Sequence, residues 1–178
     1  MSPLLFLIGY RGSGKTTVGR TLADRLRWAF VDADAVLEER HRRTIREIFA
    51  TEGEAGFRDM ESAILADLCT RTNAVIATGG GVVLREANRQ LLKRHGIVAW
   101  LTADASTLLA RIKADPATAE RRPPLAGGGL AEIEHLLAVR EPLYQVCADI
   151  VVPVGALSPE QAADAILAAC SLGPKSSG

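Results

Sequence analysis

Apolar residues gather in five short runs along the chain, at positions 4–8, 29–31, 74–77, 97–101 and 149–152, and each reads as a buried strand. Helical spacing separates them, as in Thr17, Val18, Leu22 and Leu26 after the first run. Alternation of this kind predicts an α/β fold with a parallel sheet, because right-handed crossovers lay the intervening helices over both faces. Ligands of such sheets collect beyond the carboxyl ends of the strands. Three clusters of glycine or aspartate lie there: residues 9–14, then Asp32 with Asp34, then Gly79, Gly80 and Gly81. The pattern therefore predicts one cleft fed by three strands. Two stretches break the regularity. Residues 34–61 suggest short, charge-rich helices carrying Phe49 and Phe57, and residues 114–128 (ADPATAERRPPLAGG) show little periodicity. The second reads as a lid, since long irregular loops in compact domains are usually functional and lids commonly close over reacting phosphates. The last residues, SLGPKSSG, read as a frayed tail.

The first cluster is chemically the most specific. Residues 9–16, GYRGSGKT, match the pattern G-x-x-x-x-G-K-[ST] between a buried-strand run and a helical one, the context that pattern requires. Its glycines allow a tight turn whose N–H groups converge on phosphate oxygens, Lys15 adds a point charge, and Thr16 is placed to ligate magnesium. An ordinary glycine-rich turn would not need the lysine.

Composition narrows the partners. The chain has 178 residues, enough to bury a core in one domain without disulfide or metal staples. Its 21 basic and 21 acidic residues cancel, which leaves no broad positive field for a nucleic acid and favours a small molecule. No apolar stretch is long enough to span a bilayer, and MSPLLFLIGY lacks the basic start and small-residue cleavage site of a signal peptide, so a cytoplasmic protein with no membrane partner is expected. Balanced charge and the lack of an obviously exposed apolar helix point to a monomer. Cys69, Cys147 and Cys170 are odd in number and widely spaced, unlike a disulfide framework or a zinc site. His41, His95 and His135 form no H-x-x-x-H pair and read as solvated.

A phosphate loop alone does not separate switches, motors and kinases. No Asn-Lys-x-Asp run for guanine is present, and the chain is short for a motor. A small-molecule kinase needs an acceptor pocket, a carboxylate near the acceptor hydroxyl and cations that follow the transferred charge. In FVDADAVLEE, residues two apart on an extended segment face the same way, so both Asp32 and Asp34 should enter the cleft. Asp32 would hold magnesium through water and Asp34 would orient the hydroxyl, although either aspartate would also suit a helix cap. Arg58 and Glu61 have helical spacing, and a positioned arginine would grip a carboxylate with its fork, but a solvated surface pair is the simpler reading of that spacing alone. Arg140, in REPLY, reads alone as a helix-end arginine, and the run Gly79–Gly81 as either a close backbone approach to ligand or a plain turn. Jointly these favour an acceptor with a carboxylate and hydroxyls. A gluconate-kinase-like enzyme and a non-catalytic nucleotide-binding regulator are the rival readings.

The motifs GYRGSGKTTVG, FVDADAVLEE, IFATEGEAGFRDMES, ATGGGVV, RRPPL and REPLY resemble, in order and spacing, those of the shikimate kinase family across about residues 4–170. The resemblance implies a P-loop NTPase-like three-layer α/β sandwich around a five-stranded parallel sheet, similar to nucleoside monophosphate kinases. It implies one domain over 1–178, with a substrate-binding insertion at about 33–61 and the lid at about 114–128. It also implies ATP and Mg²⁺, and transfer of the γ-phosphoryl group to the 3-hydroxyl of shikimate, the fifth step of the chorismate route to aromatic amino acids. Carried over, Asp34, Arg58, Gly79, Gly80, Gly81 and Arg140 would bind shikimate. Gly12, Ser13, Gly14, Lys15, Thr16 and Thr17 would hold the nucleotide phosphates, and Thr16 with Asp32 the metal. Arg111 and Pro159 would flank adenine, and Lys15, Asp34 and the lid's Arg122 would be catalytic. One departure touches the lid. The family's Arg-Pro-Leu-Leu is here Arg121, Arg122, Pro123, Pro124, Leu125, and the extra proline leaves open which arginine acts.

Overall fold

The computed structural model describes residues 4–115 and 129–172. Five parallel strands, β1 (Leu4–Ile8), β2 (Ala29–Asp32), β3 (Ala74–Ala77), β4 (Gly96–Thr102) and β5 (Ile150–Pro153), form one sheet in the order β2-β3-β1-β4-β5. The boundaries of β1 and β3 are those the apolar runs predict, while β2, β4 and β5 differ by a residue at one or both ends, where pairing with neighbouring strands takes in flanking residues such as Asp32, Gly96, Thr102 and Pro153. Seven described α-helices accompany the sheet: α1 (Lys15–Leu26), α2 (Ala33–His41), α3 (Ile45–Leu68), α4 (Glu86–His95), α5 (Ala105–Ala114), α6 (Leu130–Cys147) and α7 (Pro159–Leu172). A 3₁₀ turn, Val82–Leu84, precedes α4.

Strand periodicity builds the layers. Along β1, Leu4, Phe6 and Ile8 point into one apolar cluster with Ile48, Phe57, Leu92 and Tyr144 from α3, α4 and α6, whereas Leu5 and Leu7 point into another with Val18, Leu22 and Ala163 from α1 and α7. All five β1 residues are buried, as a central parallel strand covered on both faces requires. A smaller cluster of Tyr10, Leu108, Ile112, Ile133 and Leu137 ties α5 and the start of α6 to the loop after β1. In α1 the spacing holds only in part: Val18 and Leu22 are buried, but Thr17 is exposed. Cys69 and Cys147 sit in the core, where burial pushes both thiols up to about 11. They are therefore poor nucleophiles at neutral pH.

The insertion after β2 is built of short helices, as the sequence suggests: α2 is followed by α3, whose span Ile45–Leu68 is two helices meeting at a kink where Gly53 is non-helical (φ 68°, ψ −176°). Thr44 starts it with a reciprocal capping box: its hydroxyl accepts from the N–H of Glu47 (3.2 Å) and its N–H donates to the Glu47 carboxylate (2.7 Å). That N–H holds the Glu47 carboxyl below the usual range. Across the kink Phe49 and Phe57 stack with centroids 4.5 Å apart. A Cβ at Gly53 would meet no atom within 4 Å, so the requirement for glycine is conformational rather than steric. Gly53→Ala is expected to lower unfolding free energy by about 1–3 kcal/mol in urea titration, because only glycine occupies this backbone region without strain. Unchanged stability would show the kink to be dispensable.

Candidate functional site

The loop after β1 ends at Gly14, whose left-handed backbone (φ 89°) caps α1 and leaves that helix's first N–H groups facing the cleft. A helix N-terminus opened this way attracts phosphate. Lys15 arches back over the loop, its Nζ donating to the carbonyls of Gly9 (2.7 Å) and Tyr10 (3.0 Å). The Ser13 hydroxyl is buried with no hydrogen-bond partner among the described residues, an orphan donor inside the loop.

Asp32 ends β2 and caps α2: its Oδ1 accepts from the N–H groups of Asp34 (3.0 Å) and Ala35 (3.1 Å). Its Oδ2 lies 3.4 Å from the Thr16 hydroxyl. Capping and a role in the cleft are thus divided between the two oxygens of one carboxylate. The extended-strand argument for Asp34 does not hold, because the cap turns the chain helical at once and Asp34 sits in the first turn of α2. It nevertheless borders the same cavity as Asp32 and Thr16. No group of three or more His, Cys, Asp or Glu among the described residues could cage a metal ion. One hydroxyl beside one carboxylate does fit Mg²⁺, a hard cation that keeps several waters and takes only one or two protein oxygens.

The cavity holds about 500 Å³ and runs from the phosphate loop to the start of α7. Arg111 and Pro159 border it at that far end with Val154, Leu157 and Ser158. Arg111 is tied down by donation of its Nη2 to the Val154 carbonyl (2.7 Å). Pro159 is set by a second capping arrangement, in which Ser158 and Gln161 exchange hydrogen bonds of 2.9 and 3.2 Å around a proline at the first helical position. Leu157, Ser158 and Thr78 escape the sequence reading because nothing in their local pattern marks a ligand wall.

Behind the glycine run, outside the lining of that cavity, two arginines are buried. Arg58, 6% exposed, places Nη1 at 2.7 Å from the Glu61 carboxylate, and its guanidinium lies 5.1 Å from the centre of the Phe57 ring. The pair is not the solvated one its spacing alone suggests. The Nε of Arg58 has no hydrogen-bond partner among the described residues, so a buried cation keeps a donor in reserve. Gly81 makes the room, since a Cβ there would fall 2.3–2.5 Å from the guanidinium atoms. Arg140, 7% exposed, is not at a helix end but inside α6, with its guanidinium 5.6 Å from the centre of the Tyr10 ring. Its Nη1 would lie 3.6 Å from a Cβ on Gly80. Gly80 also borders the phosphate cavity, so the arginine wall and the phosphate loop share this residue. Gly79 accepts the N–H of Val82 (3.2 Å), so the glycine run makes a turn, and what comes close to it is the pair of arginines.

The family model for shikimate kinase matches residues 11–171. The chain belongs to the shikimate kinase family. The shikimate kinase of Gloeobacter violaceus is 47% identical over 163 residues, covering 91% of this chain and 89% of that protein. Among solved structures, the shikimate kinase of Acinetobacter baumannii in complex with shikimate is 37% identical with a TM-score of 0.87, covering 94% of this chain and 92% of that one. The shikimate kinase of Aquifex aeolicus is 35% identical with a TM-score of 0.82, over 96% and 99% of the two chains. Membership makes the fold a P-loop kinase fold and the chain an ATP-dependent kinase. No described helix is long and apolar enough to cross a membrane. Arg121 and Arg122, the two candidate lid arginines of this shikimate kinase family member, lie outside the described residues, as does the tail from residue 173.

Proposed function

We propose that this chain transfers the γ-phosphoryl group of ATP to the 3-hydroxyl of shikimate, giving shikimate 3-phosphate and ADP in the chorismate route. The observation that carries the proposal is the position of Gly80, which borders the phosphate cavity on one side and the buried Arg140 on the other, with Arg58 beside the next glycine. Buried guanidinium groups fit a carboxylate, and a phosphate loop facing them fits a donor nucleotide.

In this reading residues 12–17 hold the phosphates, Arg111 and Pro159 flank adenine, and Arg58 and Arg140 grip the acid's carboxylate. Gly79, Gly80 and Gly81 form the acid's wall, and Asp34 accepts a hydrogen bond from the attacking hydroxyl and takes its proton as the bond to phosphorus forms. Lys15 exchanges its loop carbonyls for phosphate oxygens and stabilises the charge that builds there. Thr16 and Asp32 would hold Mg²⁺, which when bound supplies further neutralisation of the phosphate oxygens. A lid arginine completes the cluster when the lid shuts and excludes water. The same reading takes the chain as one unit over 1–178 and a cytoplasmic monomer without membrane partners, and the balanced charge supports the lack of a nucleic-acid partner.

The test is ATP consumption with shikimate set against gluconate and other hydroxy acids, with and without magnesium. Magnesium-dependent turnover with shikimate supports the proposal, and preference for gluconate or nucleotide binding without transfer defeats it. In the same assay Arg121→Ala or Arg122→Ala is expected to lower turnover about 10²-fold or more, as loss of a charge-stabilising donor does. Near-native rates in both variants would remove the lid arginine from the mechanism. Gly81→Ala is expected to displace the Arg58 guanidinium, which a Cβ there would overlap, and to raise the shikimate KM roughly tenfold or more with ATP KM held, since the displaced cation leaves its place beside Glu61. An unchanged shikimate KM would show that Arg58 can move without consequence.

A further inference from the structure

The wall of three glycines has no side chains to fix it, so hydrogen bonds must. Gly79 and Gly81 are fixed locally, accepting the N–H groups of Val82 (3.2 Å) and Leu84 (3.1 Å) in the 3₁₀ turn. Gly80 is fixed from a distance: its carbonyl accepts the hydroxyl of Tyr144 on α6. Tyr144 is fully buried and stacks on Trp100 with centroids 5.6 Å apart. It lies one helical turn beyond Arg140, so the same face of α6 reaches Gly80 twice. A Cβ on Gly80 would also fall 3.4 Å from the carbonyl oxygen of Gly9 and 3.5 Å from the N–H nitrogen of Arg11, which shows how closely the phosphate loop abuts it.

We propose that Tyr144 is a positioning residue for the acid substrate, holding the Gly80 peptide so that the acid's wall keeps its place against the phosphate loop. This rests on the function proposed above. In a trans peptide the N–H points opposite to the C=O. With the Gly80 carbonyl drawn toward the Trp100–Tyr144 stack, the N–H of the same peptide, carried by Gly81, faces away from that stack. Glycine has the widest backbone freedom of any residue, so release of this carbonyl would let the peptide rotate. In-line transfer is sensitive to such a change, since misplacement of a reactant by about 1 Å can cost about 10²-fold in rate. A buried phenol needs some acceptor in any case. A structural acceptor would serve in any part of the core, whereas this one is the residue common to both substrate regions.

The experiment is steady-state kinetics of Tyr144→Phe, with Trp100→Phe as control. Tyr144→Phe keeps the ring and removes the hydroxyl, and it is expected to lower kcat/KM for shikimate roughly tenfold while ATP KM stays within about twofold. Trp100→Phe disturbs the stack but no bond to Gly80, and near-native shikimate parameters are expected. Unaltered shikimate kcat/KM in Tyr144→Phe, or a fall accompanied by a comparable rise in ATP KM, overturns the inference, because a merely structural role would not discriminate between substrates. If Tyr144→Phe does not fold, Tyr144→3-fluorotyrosine retains the ring shape and strengthens the donor. A changed shikimate KM with constant ATP KM then supports the inference, and no change overturns it. Absence of shikimate turnover by the native chain would defeat the proposed function and this inference with it. Native turnover with an indifferent Tyr144→Phe would defeat the inference alone.

Discussion

Asp34→Asn is expected to lower the rate of phosphoryl transfer to shikimate by about 10²–10⁴-fold, the range over which a positioned general base contributes. Asp34 borders the cavity from the first turn of α2, close enough in sequence to Asp32 that one strand-to-helix junction delivers both carboxylates. Their duties differ. Asp32 commits Oδ1 to the helix cap and turns Oδ2 toward Thr16, so in the proposed reading the nucleotide's metal would depend on Asp32 rather than on its neighbour. The substitution should therefore spare ATP KM, because asparagine keeps the size of the side chain and removes only the basic oxygen. ADP release followed by a coupled assay over a range of both substrates checks this. A turnover within about twofold of native would take Asp34 out of the chemistry.

Arg58→Ala and Arg140→Ala should act on the other substrate. Each is expected to raise the shikimate KM roughly a hundredfold or more, since truncating one partner of a buried, charge-assisted pair costs about 2–5 kcal/mol. ATP binding should survive, as neither arginine borders the nucleotide cavity. The two variants should differ in stability. Arg58 pairs with Glu61, which is 5% exposed, and its loss breaks a buried ion pair, a change worth up to about 3–5 kcal/mol. Arg140 faces the Tyr10 ring instead and forms no ion pair with a carboxylate among the described residues, so Arg140→Ala should melt closer to native. Titration of shikimate by calorimetry together with thermal melting separates the effects, and native affinity in both variants would contradict the carboxylate assignment.

Legibility in the sequence followed the range of the forces involved. The phosphate loop and β1 could be read because their determinants are local: glycines where the chain turns, a lysine and threonine at the helix start, and a run of apolar residues before them. Parallel topology was legible for the same reason, through alternation of strand and helix. What the sequence hid was set by partners far along the chain. Arg58 is buried because Gly81, 23 positions later, leaves a hollow for its guanidinium. Arg140 looked like a helix end because a proline follows closely, yet α6 continues through Pro142 to Cys147. Ala138 and Pro142 are both exposed, so water can serve the carbonyl that the proline leaves without a donor. The division of the insertion into short helices was legible, but not the close meeting of two of them at Gly53, which the stacking of Phe49 on Phe57 across the kink accompanies. Asp34 reached the cleft by a route other than the one the alternation rule supplied, through a helix turn created by its neighbour's cap.

The most direct measurement is a crystal structure of the protein with shikimate and a non-hydrolysable ATP analogue bound together. The account predicts the triphosphate over residues 12–17, the acid's carboxylate on the guanidinium groups of Arg58 and Arg140, and its 3-hydroxyl within hydrogen-bonding distance of Asp34 and facing the γ-phosphate. Shikimate bound away from those three side chains, or with a different hydroxyl presented to the phosphate, would contradict it.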